Sequence, residues 1–164
     1  MPDAPIRAPS PPTDGDIRAA QDMLFFAYRD FTNAADVILA ELGLGRAHHR
    51  ALHFIARTPG LPVSDLLAIL RITKQSLARV LNELVARDYV ALTQGRTDRR
   101  QRLLRLTVPG QALERRLFLR QRDRLAAAYA AADAHAVEGF RTIMRGIMDD
   151  SARAYIDAAD SGGS

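Results

Sequence analysis

Apolar residues Ile17, Leu24, Phe31 and Ile38 recur every seventh position, with Ala20, Ala27, Tyr28, Ala34 and Ala35 filling the turns between them. That spacing predicts a long amphipathic helix from 16 to about 42, stopped by Gly43 and Gly45. A second helix is expected over 46–57, with Leu52, Ile55 and Ala56 inward and Thr58-Pro59-Gly60 ending it. A short third follows Pro62, carrying Val63, Leu66, Leu67 and Leu70. Thr73 then stands where an N-cap belongs, before a fourth helix from 74 to about 88. Its buried stripe is expected to be Leu77, Val80, Leu81, Leu84 and Val85.

Two β-leaning runs come next, over 89–94 and 101–106, joined by Gly95-Arg96-Thr97-Asp98-Arg99-Arg100. They read as a hairpin with a long basic tip. Thr107 is a candidate cap for a fifth helix running to about 131, with Pro109 tolerated in its first turn. A sixth, continuous helix is expected over 133–159, with Val137, Phe140, Ile143, Met144, Ile147, Ala154, Tyr155 and Ala158 on one side. The Pro-rich opening MPDAPIRAPSPPTDGD is expected to be a disordered lead over 1–15, and 160–164 a flexible tail. The fold class is therefore mainly α with a small β-hairpin wing. A winged helix-turn-helix core at about 46–107 stands between long helices at 16–42 and 108–159, forming one domain over 16–159.

Charge sharpens this picture. The chain's net charge is +4, but residues 71–105 carry eight Arg and one Lys against three acids, while 1–70 and 133–164 are net acidic. A basic middle between acidic flanks suggests a segment facing a polyanion. The helix at 74 seats an apolar stripe on its neighbours and turns Lys74, Gln75, Ser76, Arg79 and Asn82 the other way, in its first turns behind the Thr73 cap. Gln can pair with adenine, and Arg or Lys with guanine, in a major groove; the alternative is an ordinary solvated helix face. On the hairpin, Arg96, Arg99 and Arg100 are placed to enter a minor groove or clamp phosphates, with Arg102 and Arg105 on the return strand. Asp98 is expected either to orient Arg100 or Arg96, or simply to form the turn beside Gly95.

Apolar residues make up 48% of the chain, enough for a core, and no run of uncharged apolar residues is long enough to span a membrane. The start has neither the basic opening nor the apolar stretch of a signal peptide, which predicts a cytoplasmic protein. There is no Cys, which excludes disulfides, thiolate metal sites and thiol redox sensing by this chain. No Gly-rich phosphate loop, nucleophile elbow or HExxH is present, and Asp149 and Asp150 read as solvated charges rather than a catalytic dyad. No enzyme, cofactor or metal is expected.

The stretches ITKQSLARVL at 72–81, LVARDYV at 84–90, and DRRQR at 98–102 followed by Leu106-Thr107 resemble the recognition helix, the exit into the wing, and the wing of the MarR family of bacterial regulators. LGRAHHRAL at 44–52 is similar to its PetP-like branch. The resemblance implies a homodimer on a pseudo-palindromic duplex DNA site, with Gln75, Ser76 and Arg79 reading bases and Asp98 and Arg100 as the wing pair. It also implies interleaved first, fifth and sixth helices. Independently, the stripes holding Ile17, Leu24, Phe140, Ile143, Met144, Ile147 and Tyr155 need another surface to cover them, and a second copy would do so.

Many regulators that this chain resembles bind a small phenolic or other apolar ligand between the dimer region and the winged lobe, which implies a small aromatic or anionic effector as a candidate partner. Here Phe25, Phe26, Tyr28, His49, His53 and Phe118 are the candidate lining, against a plain core-packing role. Arg122 is either a partner for an anionic ligand or an exposed helix charge. His49 and His53 also have the i/i+4 spacing metals use, so a metal- or haem-responsive regulator is an alternative. Further ligands would then have to come from the first helix or His135, and a packed or solvent-facing pair is the simpler reading. A winged-helix module that binds protein rather than DNA is the remaining alternative.

Overall fold

A computed structural model describes residues 10–161. The elements are α1 (Asp14–Glu41), α2 (Arg46–Arg57), β1 (Leu61–Pro62), α3 (Val63–Leu70), α4 (Lys74–Ala86), β2 (Val90–Gln94), β3 (Arg102–Leu106), α5 (Val108–Ala130), α6 (Ala134–Ile147) and α7 (Asp150–Ser161). The three strands form one antiparallel sheet in the order β1-β3-β2, with Leu61 opposite Leu104 and Val90 opposite Leu106. β1 was not expected; two residues are too few to show a period.

Helix starts follow their caps. Thr13 and Asp16 form a reciprocal capping box, so α1 begins at Asp14, inside the stretch expected to be a disordered lead. Residues 1–9 of that lead, and 162–164 of the expected tail, lie outside the described residues. Asp160 and Ser161, also assigned to the tail, belong to α7. Thr73 caps α4 and Thr107 caps α5, each hydroxyl accepting an N–H three residues on.

The expected single helix over 133–159 is two. Met148 is extended (ψ 148°), and the Asp149 carboxylate accepts the Ala152 N–H at 2.9 Å, starting α7 afresh. Arg71, in the left-handed conformation at the end of α3, donates to Asp149 (2.5 Å) and Ser151 (3.0 Å). The break thereby docks on the turn between α3 and α4.

One apolar core lies where α2, α3, α4 and the sheet meet the second half of α1 and the first half of α5. Leu39, Leu52, Ile55, Leu66, Leu77, Leu84, Leu104 and Leu117 are its largest fully buried members. Gly110 is required there: a Cβ on it would stand 1.9 Å from the Tyr89 carbonyl oxygen, so α5 can start against the exit of α4 only without a side chain. Of the stripe expected on α4, Leu77, Val80, Leu81 and Leu84 are buried but Val85 is exposed. It falls off the inward face where the helix leaves the core. α6 and α7 bury no residue fully.

Candidate nucleic-acid interface

α4 presents two chemically distinct sides. Its apolar stripe sits in the core, while Lys74, Gln75, Ser76, Arg79 and Asn82 are all exposed, with Thr73 at the cap. Thr73 Oγ1 also donates to Ser76 Oγ at 2.8 Å, which fixes the Ser76 rotamer and leaves the Ser76 hydroxyl hydrogen available. Between α3, α4 and the β2–β3 wing runs a cleft of about 340 Å³. Its floor is Leu67, Leu77, Leu81 and Leu92, and its rim carries Ser64, Lys74, Asn82 and Arg102.

The wing tip closes on main-chain bonds: Gly95 N–H to the Gln101 carbonyl (2.9 Å) and Gln101 N–H to the Asp98 carbonyl (3.1 Å). The Asp98 carboxylate accepts the Arg100 main-chain N–H at 2.9 Å. Of the two readings of Asp98, the turn-forming one describes its contact, and among the described residues no guanidinium is held by it. Gly95 is buried, and a Cβ there would lie 2.6 Å from the Asp98 carbonyl oxygen. Arg96, Asp98, Arg99 and Arg100 all point into solvent.

Seven arginines elsewhere, Arg29, Arg46, Arg71, Arg87, Arg122, Arg145 and Arg153, each pair with a carboxylate. Among the described residues, none of Lys74, Arg79, Arg96, Arg99, Arg100, Arg102 or Arg105 is in an ion pair. Other unpaired arginines are spread along α1, α2, α5 and α6, but on α4 and the β2–β3 hairpin seven unpaired cations lie close together in the chain, where they sum into a positive field.

A second cavity, of about 280 Å³, opens where α1, α2 and α5 converge, lined by Tyr28, Phe31, Thr32, Arg46, His49, Arg50, His53, Phe54 and Gln121. Tyr28, His49 and His53 were expected there; Phe25, Phe26 and Phe118 were expected too and are not in it. The first half of α1 projects beyond the lobe, so Phe25 and Phe26 stand exposed, edge to face, with Arg29 over the Phe26 ring. Phe118 faces outward on α5 beneath Arg115. Periodicity placed these rings on helices but not against a neighbour. Missed by sequence reasoning were Arg46, whose guanidinium grips Asp36 and Asn33, and Arg50, which donates to the Tyr28 hydroxyl; their only signal was position in the first two turns of α2.

Burial, the positive charge of His53 when protonated, and Arg50 together hold His49 down at about 4, against the opposing pull of Asp36. Burial and Arg57 likewise depress His53. Both rings are therefore neutral near pH 7. No carboxylate lines the cavity, and among the described residues no group of three or more His, Cys, Asp or Glu is placed to hold a metal ion.

Of the residues expected on a dimer face, Ile17, Leu24, Phe140, Ile143 and Ile147 are exposed, between 40% and 65%, and Met144 is half-buried. Tyr155 departs from them. It packs edge-on against Phe54 of its own chain at 5.5 Å, because the break at Met148 turns α7 back over α2 and α3. Among the described residues no helix is long and apolar enough to cross a membrane.

A helix seated on an apolar stripe, followed by the β2–β3 hairpin and carrying unpaired cations outward, is the winged helix-turn-helix of a transcriptional regulator. The sequence model of the MarR family matches residues 42–101. Over 143 residues the chain is 48% identical to the HTH-type transcriptional regulator PetP of Rhodobacter capsulatus, covering 87% of this chain and 86% of that protein. It belongs to the MarR family. Its fold is similar to Streptococcus pneumoniae FabT in complex with DNA (TM-score 0.70, 16% identity, 80% of this chain and 94% of that one). It is also similar to a mutant E. coli MarR complexed with operator DNA (TM-score 0.63, 17% identity, 85% and 100%).

Proposed function

We propose that this regulator acts in the cytoplasm as a homodimer that reads a pseudo-palindromic duplex, one winged lobe per half-site. The observation that carries the reading is a helix seated by its apolar stripe whose exposed side, with the hairpin that follows, holds seven cations free of ion pairs among the described residues. In this reading Gln75, Ser76 and Arg79, with Lys74 and Asn82, meet base edges behind the Thr73 cap. Arg96, Arg99 and Arg100 grip the backbone or minor groove, positioned by the Asp98 turn. The FabT and MarR structures bound to DNA support the mode of binding for relatives of the same fold. Two-fold symmetry comes from covering the apolar faces of α1 and α6 with a second copy.

The cavity among α1, α2 and α5 suits a small aromatic anion. Tyr28, Phe31 and Phe54 supply ring faces, and Arg50, which among the described residues is held only by the Tyr28 hydroxyl, supplies a cation that a carboxylate would take over. Such a ligand weakens DNA binding only if it prefers the lobe arrangement that does not fit the operator.

Selection from a random duplex pool tests the reading. The wild type is expected to enrich a two-fold symmetric motif, Gln75→Ala to enrich a different one, and Arg100→Ala to keep the motif with affinity down by about tenfold or more. A wild type that enriches no motif, with a grip indifferent to added salt, would overturn it.

A further inference from the structure

The flank of α4 near its C-terminal end and the corner between α1 and α2 meet on one carboxylate, that of Glu83. The Gly45 N–H, left without a helical acceptor at the start of α2, donates to His48 Nδ1 at 3.0 Å. With Nδ1 serving as acceptor, the neutral ring carries its hydrogen on Nε2, which donates to Glu83 Oε2 at 2.9 Å. The other Glu83 oxygen accepts from Arg87 Nη2 at 2.6 Å. Arg87 Nη1 in turn donates to the carbonyl of Leu42, the C-cap of α1, at 2.5 Å. The His48 side chain is only 14% exposed, and its partner Glu83 stands four residues past Arg79 and seven past Ser76, on the same flank of α4.

We propose that His48 is a positioning residue for base reading: clamped in one tautomer between Gly45 and Glu83, it sets the angle at which α4 presents Gln75, Ser76 and Arg79. The proposal rests on the DNA-reading function above and adds a residue that touches no DNA. The lever is long. Gln75 lies about 12 Å along the helix axis from Glu83, so a tilt of about 5° there moves the reading end by about 1 Å, enough to spoil paired hydrogen bonds to a base. Apolar packing of Leu77, Val80, Leu81 and Leu84 seats the helix but is tolerant of small rotations. Directional bonds to a carboxylate are not. The same first turn of α2 sends Arg46 and His49 into the α1/α2/α5 cavity, so a shift of that turn reaches α4 through the neighbouring His48.

The test is affinity of the full chain for its selected operator, in wild type, His48→Phe, Glu83→Ala and the double variant. Each single change is expected to weaken binding by about tenfold, and the double by no more than the worse single, because both remove one clasp. The slope of affinity against salt stays as in wild type, since no phosphate contact is lost. Amide exchange in α4 quickens while exchange in α3 does not. His48→Gln, which keeps one acceptor and one donor, recovers part of the loss. Wild-type affinity in His48→Phe, losses that multiply in the double variant, or losses that track the melting temperature across all variants would each overturn the clasp alone. A wild type that ignores base order overturns the DNA reading and this role with it.

Discussion

At the wing tip the Asp98 carboxylate holds the Arg100 main-chain N–H while the Asp98 carbonyl takes that of Gln101, so this acid shapes the loop that carries the arginines. Asn keeps the accepting oxygen and removes the charge; Ala removes both. Asp98→Asn is therefore expected to bind operator at least as tightly as wild type, and Asp98→Ala about three- to tenfold more weakly. Titration by gel shift decides: equal losses in both variants would mean that the charge, not the turn, matters. The sequence made both readings of Asp98 available and could not choose, because the choice depends on which donor the folded loop brings within 3 Å. The exposed residues of α4 were legible, since an apolar stripe on a short helix fixes the opposite side. Arg46, His48 and Arg50 were not, because their partners Asp36, Glu83 and Tyr28 lie between 10 and 35 positions away.

Elements with a signal at both ends were read correctly: α2 runs over Arg46–Arg57 between Gly45 and Thr58-Pro59-Gly60, and α4 starts behind Thr73. The α6–α7 break was missed because apolar spacing continues across it, and the Asp149 cap looks like one more surface acid. α2 also carries a pH dependence. His49 titrates at about 4 in the folded chain, His53 is depressed as well, and the unfolded value is 6.5. Between those values the unfolded chain binds protons that the folded chain refuses, so stability rises with pH. The contribution is full above about 6.5 and is lost as the pH falls towards 4. Asp149, held down at about 2, stays charged across this window. The urea midpoint is expected to drop between pH 7.5 and 5.5, and His49→Phe to flatten the drop. An equal midpoint at both pH values would mean that neither ring is shielded from water.

Across the whole molecule, burial is lopsided. The winged lobe and the halves of α1 and α5 packed on it hold the fully buried side chains, while α6, at 14 residues, buries none and leaves Phe140, Ile143 and Ile147 open, as α1 leaves Ile17 and Leu24. A helix of that length is marginal in water without tertiary packing, and open apolar side chains at this density mark an interface. If a second copy covers them, folding and association are linked, and stability must depend on chain concentration. The melting temperature is accordingly expected to rise over a hundredfold increase in concentration, with sedimentation reporting two chains. Ile143→Asp is expected to give single chains whose winged lobes still fold but whose operator affinity falls by about a hundredfold, because the second half-site is no longer held near the first. The opposite result, a melting temperature independent of concentration and an Ile143→Asp variant that binds operator like wild type, would mean that α1 and α6 serve some purpose other than pairing the two reading heads.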